Sequence, residues 1–390
     1  MKIQSVHIDG FRNLSGIEFS AGERLNVIWG ENAQGKTNLL EALWLCTGAQ
    51  SFRRNRDYVG MEREIAAVTM RFSDRQRTQE IVLRMGKTGG RDRLVTLNGV
   101  KKRTPSGLFG SFSCVVFTPE DLELAKGSPE SRRVFLDLCI AQIKLSYARV
   151  TAKYEGLLAQ RNALLKTIAA GGAKAVDLEV WDVQLARMGA YISVLRHAFV
   201  KKLGLFAGRL YSDLSGGKEV LTLSYHSTVF ETLEGRGDFA GELAQEYLAA
   251  LRSSHSEDIR AGFTSAGVHR DDLVAELGGL SVREFGSQGQ KRSVSLVYKL
   301  AQAFILHEES GEAPVLLLDD VLSELDRARQ EFVLSRITPM QVFLTCCERN
   351  FSQVCGLGGA TAQGETGLIA GASYFLMQNG RIVEKTTNEL

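Results

Sequence analysis

Short runs that alternate apolar and polar residues open the chain. Ile3–Asp9, Gly16–Ser20 and Leu25–Trp29 read as strands separated by turn residues. The spacing then changes to that of a helix over Lys36–Cys46, with Leu39, Leu40, Leu43 and Trp44 on one side. Strand character returns near Ala66–Phe72, Glu80–Met85 and Leu94–Leu97, and Asn98-Gly99 marks a tight hairpin to Val100. Cys114–Phe117 is a further short apolar strand. After Pro119 the period lengthens again. One apolar seam runs through Leu136, Ile140, Ile143, Tyr147, Val150, Tyr154, Leu157, Leu164 and Ile168, interrupted by Arg161. Gly171-Gly172 ends it, and a second seam follows through Trp181, Leu185, Met188, Ile192, Leu195, Phe199, Leu203, Phe206 and Leu210. Two long helices joined by a short break pack most simply as an antiparallel hairpin. Each would be on the order of 50–60 Å long. Helices of that length suit a short projecting arm better than a compact all-α core. Leu221–Tyr225 is again a strand and Glu242–Ser253 a helix; from Gly262 onward strand and helix alternate. Phe375–Met377 and Arg381–Glu384 close the chain as a hairpin about Asn379-Gly380. The pattern is an α/β unit interrupted by a helical insertion, with 1–118 and 263–390 forming the first and 119–262 the second.

Composition narrows the class. In 390 residues, 44% hydrophobic and 24% charged, the balance is that of a soluble globular chain. No apolar run approaches the ~20 residues of a membrane span. The first residues lack the apolar core of a secretory signal, so a cytoplasmic protein with no membrane partner is expected. The cysteines (46, 114, 139, 346, 347, 355) have no metal-ligand spacing and read as reduced thiols. A net charge of +2 conceals an asymmetry: Arg71 to Arg103 holds ten Lys/Arg against three acids, +7, leaving −5 elsewhere. That stripe reads either as a polyanion-facing surface or as a solvated strand face.

Gly30-Glu31-Asn32-Ala33-Gln34-Gly35-Lys36-Thr37 fits GxxxxGK[ST] between a strand and a helix, the context a phosphate-binding loop requires. Its backbone N–H groups surround phosphate oxygens, Lys36 reaches the β- and γ-phosphates, and the Thr37 hydroxyl suits Mg²⁺. Val315–Leu318 followed by Asp319-Asp320 is a buried parallel strand ending in two acids. Asp319 is the expected metal ligand and Asp320 the residue that polarises the attacking water. Phe285-Gly286-Ser287-Gln288-Gly289-Gln290 precedes a helix over Lys291–Leu306 and reads either as an N-cap and turn or as an anion-facing turn. Phosphate loop, serine-glycine-glutamine turn, acidic strand, then Ser323-Glu324-Leu325-Asp326 is the order of an ABC-type ATPase. The loop and the turn lie roughly 250 residues apart, which points to the branch with an inserted helical pair.

At this level the chain resembles the RecF family. The resemblance is carried by Gly10-Phe11-Arg12-Asn13-Leu14, the phosphate loop extended through Asn38-Leu39-Leu40-Glu41-Ala42, and Ser51-Phe52-Arg53. It continues through Phe117–Leu122, Gly127–Arg133 with Phe135-Leu136-Asp137, His269–Leu273, Gly286–Gln290 and Leu317–Asp326, in family order. It departs at Val268, where proline is usual, and at Cys346-Cys347-Glu348 after Thr345, where Thr and Asp are usual; the lack of a switch histidine at Thr345 is typical of SMC-like ATPases. The resemblance implies an ABC ATPase head with a mixed αβ lobe, a helical lobe and a short arm. It implies ATP with Mg²⁺ and an ATP-dependent homodimer in which each nucleotide lies between one subunit's phosphate loop and its partner's Ser287–Gln290 turn. It also implies binding of double-stranded DNA near single-stranded gaps, work with RecR and RecO to load RecA, and slow, weak hydrolysis that resets the dimer. It places Arg12, Asn13 and Asn38 near the nucleotide. Arg53, Arg54 and Arg56 read as phosphate or DNA contacts or as solvated residues, as do Lys101, Lys102 and Arg103 beside the hairpin with Lys87, Arg91 and Arg93. His269 is either a nucleotide contact or a hydrogen-bonded turn residue. Two rivals remain: a transporter's ATP subunit, which places loop and turn only about 100 residues apart, and an SMC-type tether, which needs hundreds of heptad residues.

Overall fold

The computed structural model describes residues 1–53, 55, 57–87, 93–347 and 371–387. They divide into two compact units, Met1–Leu122 with Leu296–Leu390 and Glu123–Ser295.

The first unit contains two six-stranded sheets. One is antiparallel, in the order β2-β1-β4-β5-β6-β7, from β1 (Lys2–Asp9), β2 (Ile17–Ser20), β4 (Ile65–Ser73), β5 (Thr78–Gly86), β6 (Leu94–Leu97) and β7 (Val100–Lys101). Strict alternation gives it one dry face: Ala66, Val68, Met70 and Phe72 on β4 lie beside Ile81, Leu83 and Met85 on β5. Asn98 and Gly99 take left-handed φ of 51° and 76° in the two-residue turn, as their dipeptide signals. The other sheet has the order β15-β14-β3-β13-β12-β8: β3 (Leu25–Trp29), β8 (Cys114–Phe117), β12 (Val315–Asp319), β13 (Val342–Cys346), β14 (Ser373–Gln378) and β15 (Arg381–Thr387). Its strands are parallel except for the edge strand β15. Every residue of β12 and β13 is buried, because a central parallel strand is covered on both faces. Helix α1 (Lys36–Leu45) leaves β3 and packs against β8, β12 and β13. It presents no polar stripe, and from Leu39 to Leu45 all its residues are buried.

The second unit is mainly helical. Helices α2 (Pro129–Ile143), α3 (Leu145–Ala169), α4 (Glu179–Ser215), α5 (Glu242–Ser253) and α6 (His255–Ala261) pack with a three-stranded sheet of β9 (Leu221–His226), β10 (Asp272–Leu277) and β11 (Leu280–Ser281). α7 (Val282–Phe285) and the start of α8 (Gln288–Ser310) follow. The first seam is therefore not one helix. Lys144 takes φ −133° and ψ 96° and breaks it, so α3 is about 37 Å long and only α4 reaches about 55 Å. No glycine or proline marks that break, which lets the seam run through it in the sequence. The hairpin is antiparallel: Arg161 of α3 meets Asp182 early in α4, while Tyr147, early in α3, meets Arg196 at the middle of α4. Residues 263–295, expected with the ATPase head, cluster with this unit, because β10 pairs with β9 along its length. The interruption at Arg161 is a buried ion cluster. Arg161 binds Asp182 and Asp258, each at 2.7 Å, and all three side chains are fully buried.

Candidate nucleotide site and its surroundings

The sequence from Gly30 to Thr37 folds as a loop because several of its residues need unusual backbone. Gly30 has φ 145°, Ala33 64° and Gly35 110°. A side chain at Gly30 would strike the Met377 carbonyl, its Cβ only 2.4 Å away. No side chain caps the N-terminus of α1, and its first turn carries no acid. Uncapped amides at a helix start favour an anion. Lys36 is buried, and its Nζ donates to the carbonyls of Gly30 and Glu31. The loop is braced from the far end of the chain. Asn379 N–H donates to Gln34 Oε1 at 2.6 Å and Gly380 N–H to the Gln34 carbonyl at 3.0 Å. Asn32 Oδ1 accepts from the exposed Cys347 thiol at 3.2 Å.

The two chemical halves of the site meet at Asp319. Parallel pairing sets Asp319 of β12 beside Thr345 of β13. Asp319 Oδ1 accepts from Thr37 Oγ1 at 2.9 Å and from Thr345 Oγ1 at 3.0 Å. Burial pushes the Asp319 carboxyl above its ordinary range, and the two hydroxyl donors pull it back. Asp320 follows with φ 51°, and its N–H donates to Thr345 Oγ1 at 2.9 Å. A threonine hydroxyl next to a carboxylate is an all-oxygen donor pair, the kind a hard cation such as Mg²⁺ takes.

A polar network surrounds the start of α1. Asn38 donates to Asn13 Oδ1 at 2.7 Å, and Asn13 to the Ala33 carbonyl at 3.4 Å. Arg53 donates to Asn38 Oδ1 at 2.6 Å. Arg12, expected beside the nucleotide, grips the fully buried Glu41 of α1 through Nε and, at 2.7 Å, through a terminal nitrogen. Ser51 donates to the same carboxylate. Glu41, Thr345 and the Asn379-Gly380 turn were not among the expected site residues. Glu41's partners lie 29 and 10 residues away and Thr345's 26 and 25, while Asn379 and Gln34 are 345 residues apart.

The turn before α8 lies in the second unit. Ser287 Oγ accepts from Gln290 N–H at 3.2 Å, and Gln290 Oε1 accepts from Ser287 N–H at 2.7 Å. This is a reciprocal capping box, so the N-cap reading holds. Ser287 and Gln288 are exposed; Gly289 and Gln290 are half-buried. His269 is a hydrogen-bonded turn residue here. Its ring nitrogens meet Tyr154 Oη at 3.2 Å and the Thr264 carbonyl at 3.0 Å, and burial lowers it to about 4.

Of the basic residues, Lys101 and Arg103 are exposed and Lys102 is half-buried; among the described residues, no ion pair joins them to an acid. Lys87 pairs with Glu64 at 3.3 Å and Arg71 with Glu80 at 3.0 Å, so part of the stripe is neutralised locally. Arg54, Arg56 and Arg91 lie outside the described residues, as does Glu348. No described helix is long and apolar enough to cross a membrane.

Residues 2–357 match the model of the RecF/RecN/SMC N terminal domain. The DNA replication and repair protein RecF of Clostridium acetobutylicum is 34% identical over 389 residues, 98% of this chain and 100% of the relative. That of Desulforamulus reducens is 37% identical over 348 residues, 88% of this chain and 92% of the relative. Among solved structures, the recombination mediator protein RecF-ATPrS in the RecFOR pathway superposes with a TM-score of 0.86 at 31% identity, over 99% of this chain and 98% of that one. The corresponding RecF-ATP structure gives 0.85 at 32% identity, with the same coverage.

Proposed function

The chain belongs to the RecF/RecN/SMC family, and within it to the RecF DNA replication and repair proteins, and from that membership we propose that it is an ATP-operated switch that closes on DNA. The observation that carries this is the Thr37–Asp319 hydrogen bond. It ties the phosphate loop to the acidic strand across 282 residues of sequence, inside one compact unit.

In this reading the amides of residues 30–37 hold the phosphates, and Lys36 leaves its two carbonyls for the β- and γ-phosphate oxygens. Arg12, Asn13 and Asn38 hold the loop and α1 in register. Thr37 and Asp319 are the residues that would hold Mg²⁺, whose charge would offset that of the phosphates. Asp320 orients the attacking water, so hydrolysis of ATP to ADP and phosphate needs no covalent intermediate. Ser287, Gln288, Gly289 and Gln290 close the partner subunit's site: the capping box satisfies the local hydrogen bonds and still leaves an exposed helix N-terminus for the γ-phosphate. ATP then binds the dimer better than the monomer, and that difference drives association. The related RecF structures are of the RecFOR pathway, which supports RecR and RecO as partners. The closed dimer would bind double-stranded DNA near single-stranded gaps and assist RecA loading there, with slow hydrolysis as the reset. Lys101, Lys102 and Arg103, with Arg53 and its neighbours 54 and 56, are the proposed phosphate contacts. The ABC subunit of a transporter is disfavoured by the helical unit inserted between loop and turn.

Mixing two defective chains tests the geometry. The Lys36→Ala chain should lose productive ATP binding. The Ser287→Arg chain should bind ATP within a few-fold of wild type, yet neither dimerise nor hydrolyse it. Mixed, they pair one intact loop with one intact turn and should recover part of the activity. Loss of ATP binding by Ser287→Arg as complete as that of Lys36→Ala would mean that the turn serves its own subunit.

A further inference from the structure

We infer that Thr345 is a positioning residue for the hydrolytic acids, one hydroxyl fixing both Asp319 and Asp320; this rests on the proposed ATPase reading of the site. Thr345 is 2% exposed and sits at the end of β13, in register with Asp319. Its Oγ1 donates to Asp319 Oδ1 at 3.0 Å and accepts the Asp320 N–H at 2.9 Å. A hydroxyl has one proton to give and lone pairs to accept with, so the two bonds use complementary capacities and form together.

The consequence for each acid differs. Asp319 Oδ1 is shared by Thr37 and Thr345, so the carboxylate is held from the loop side and from the sheet side at once. Asp320 has the left-handed backbone φ 51°, ψ 12°. Non-glycine residues adopt that conformation at a cost, and it lasts only when surrounding bonds fix it. The Thr345 hydroxyl supplies such a bond, to the one backbone donor that sets the direction in which the Asp320 side chain leaves the strand. No histidine stands at this place in the sequence; the Thr345 hydroxyl supports both acids instead.

Thr345→Val keeps the shape and removes both bonds. It leaves the Asp320 N–H without its partner and Asp319 with one donor fewer. Misplacement of a catalytic group by about 1 Å costs on the order of 100-fold in rate. We therefore expect single-turnover hydrolysis to fall by about 10- to 100-fold, with equilibrium ATP affinity within about twofold. The Mg²⁺ concentration that half-saturates ATP binding, read by titration calorimetry, should rise. Thr345→Ser keeps the hydroxyl and should restore hydrolysis to within about threefold. Thermal melting of each chain reports folding; if the valine chain does not fold, Thr345→Ala takes its place. An unchanged single-turnover rate in the valine or alanine chain overturns the inference. So does a serine chain as slow as the valine chain at a normal melting temperature, since packing of the methyl group would then be what matters. Wild type that neither binds nor hydrolyses ATP would instead defeat the ATPase reading itself.

Discussion

Replacing Arg161 with methionine should unfold the helical unit far below the wild-type temperature. Arg161, Asp182 and Asp258 are each fully buried, and the guanidinium joins α3 to α4 and α6 with two 2.7 Å contacts. It also donates to Thr264 at 2.8 Å. Methionine fills similar volume, so the cavity term is small. The electrostatic term is not small: two carboxylates remain in a dry interior without their cation. Breaking a buried pair by removing one partner costs about 3–5 kcal/mol. Asp182 retains His255 at 2.6 Å, and Asp258 retains Ser265 and Ser254, which argues for the lower half of that range. For a unit of this size each kcal/mol moves the midpoint by about 2–4 °C, so a fall of about 6–16 °C is expected. Scanning calorimetry of the full chain reads it directly. Adding Asp182→Asn removes one stranded charge and should recover part of the loss. A shift of less than about 2 °C, or no recovery in the double variant, would refute the view that this cluster holds the hairpin together.

Asp320→Asn should bind ATP normally, accumulate as an ATP-bound dimer and hydrolyse slowly; steady-state turnover equal to wild type would remove Asp320 from the mechanism. If Lys101, Lys102 and Arg103 touch DNA phosphates, the triple alanine variant should weaken duplex binding at every sequence. It should also flatten the plot of log affinity against log salt by about 0.9 per lost contact; an unchanged slope would mark the residues as solvated. His269 carries a pH signature. Burial holds it at about 4, below the ordinary histidine value, so the unfolded chain binds the proton first and stability is lost as pH falls from about 6.5 towards 4. Between pH 7 and pH 5 the loss should be about 2 kcal/mol in denaturant titrations. His269→Asn should remove most of that difference, and an equal pH slope in both chains would count against it.

Much of this molecule is legible in its sequence where local chemistry decides the structure. The strand–loop–helix at residues 25–46 shows itself because glycines, an apolar run and a helix start must occur in that order. The Asn98-Gly99 and Asn379-Gly380 turns show themselves because few residues take two successive left-handed conformations. What lies hidden depends on residues far apart. No periodicity marks Thr345, Glu41 or Gln341: Thr345 reaches Asp319 and Asp320 at the end of the neighbouring strand, Glu41 reaches Arg12 and Ser51, and Gln341 alone bonds across the chain, to Ile3 and Gly22, 338 and 319 residues away. The second helical seam is buried at Leu185, Ile192, Phe199, Leu203 and Leu210, as read, but its other edge is displaced for a physical reason. Trp181, Met188 and Leu195 are only half-buried, whereas Asp182, Gly189 and Arg196 are buried. Arg196 is neutralised by Asp137 at 2.8 Å, and Gly189 gives way to the Tyr247 ring. A seam drawn through large apolar residues passes beside these core positions. Arg161 was visible as a break, but its two partners were not.

In the proposed function ATP, and not nucleotide in general, closes two subunits on duplex DNA. Sedimentation velocity of the wild-type chain with a labelled duplex, run with ATP, with ADP and without nucleotide, tests it most directly. We expect a monomer with weak, salt-sensitive DNA binding in the last two conditions, and with ATP a dimer that moves with the duplex. A dimer of equal strength in ADP, or a chain that binds ATP yet stays monomeric on DNA, would contradict it.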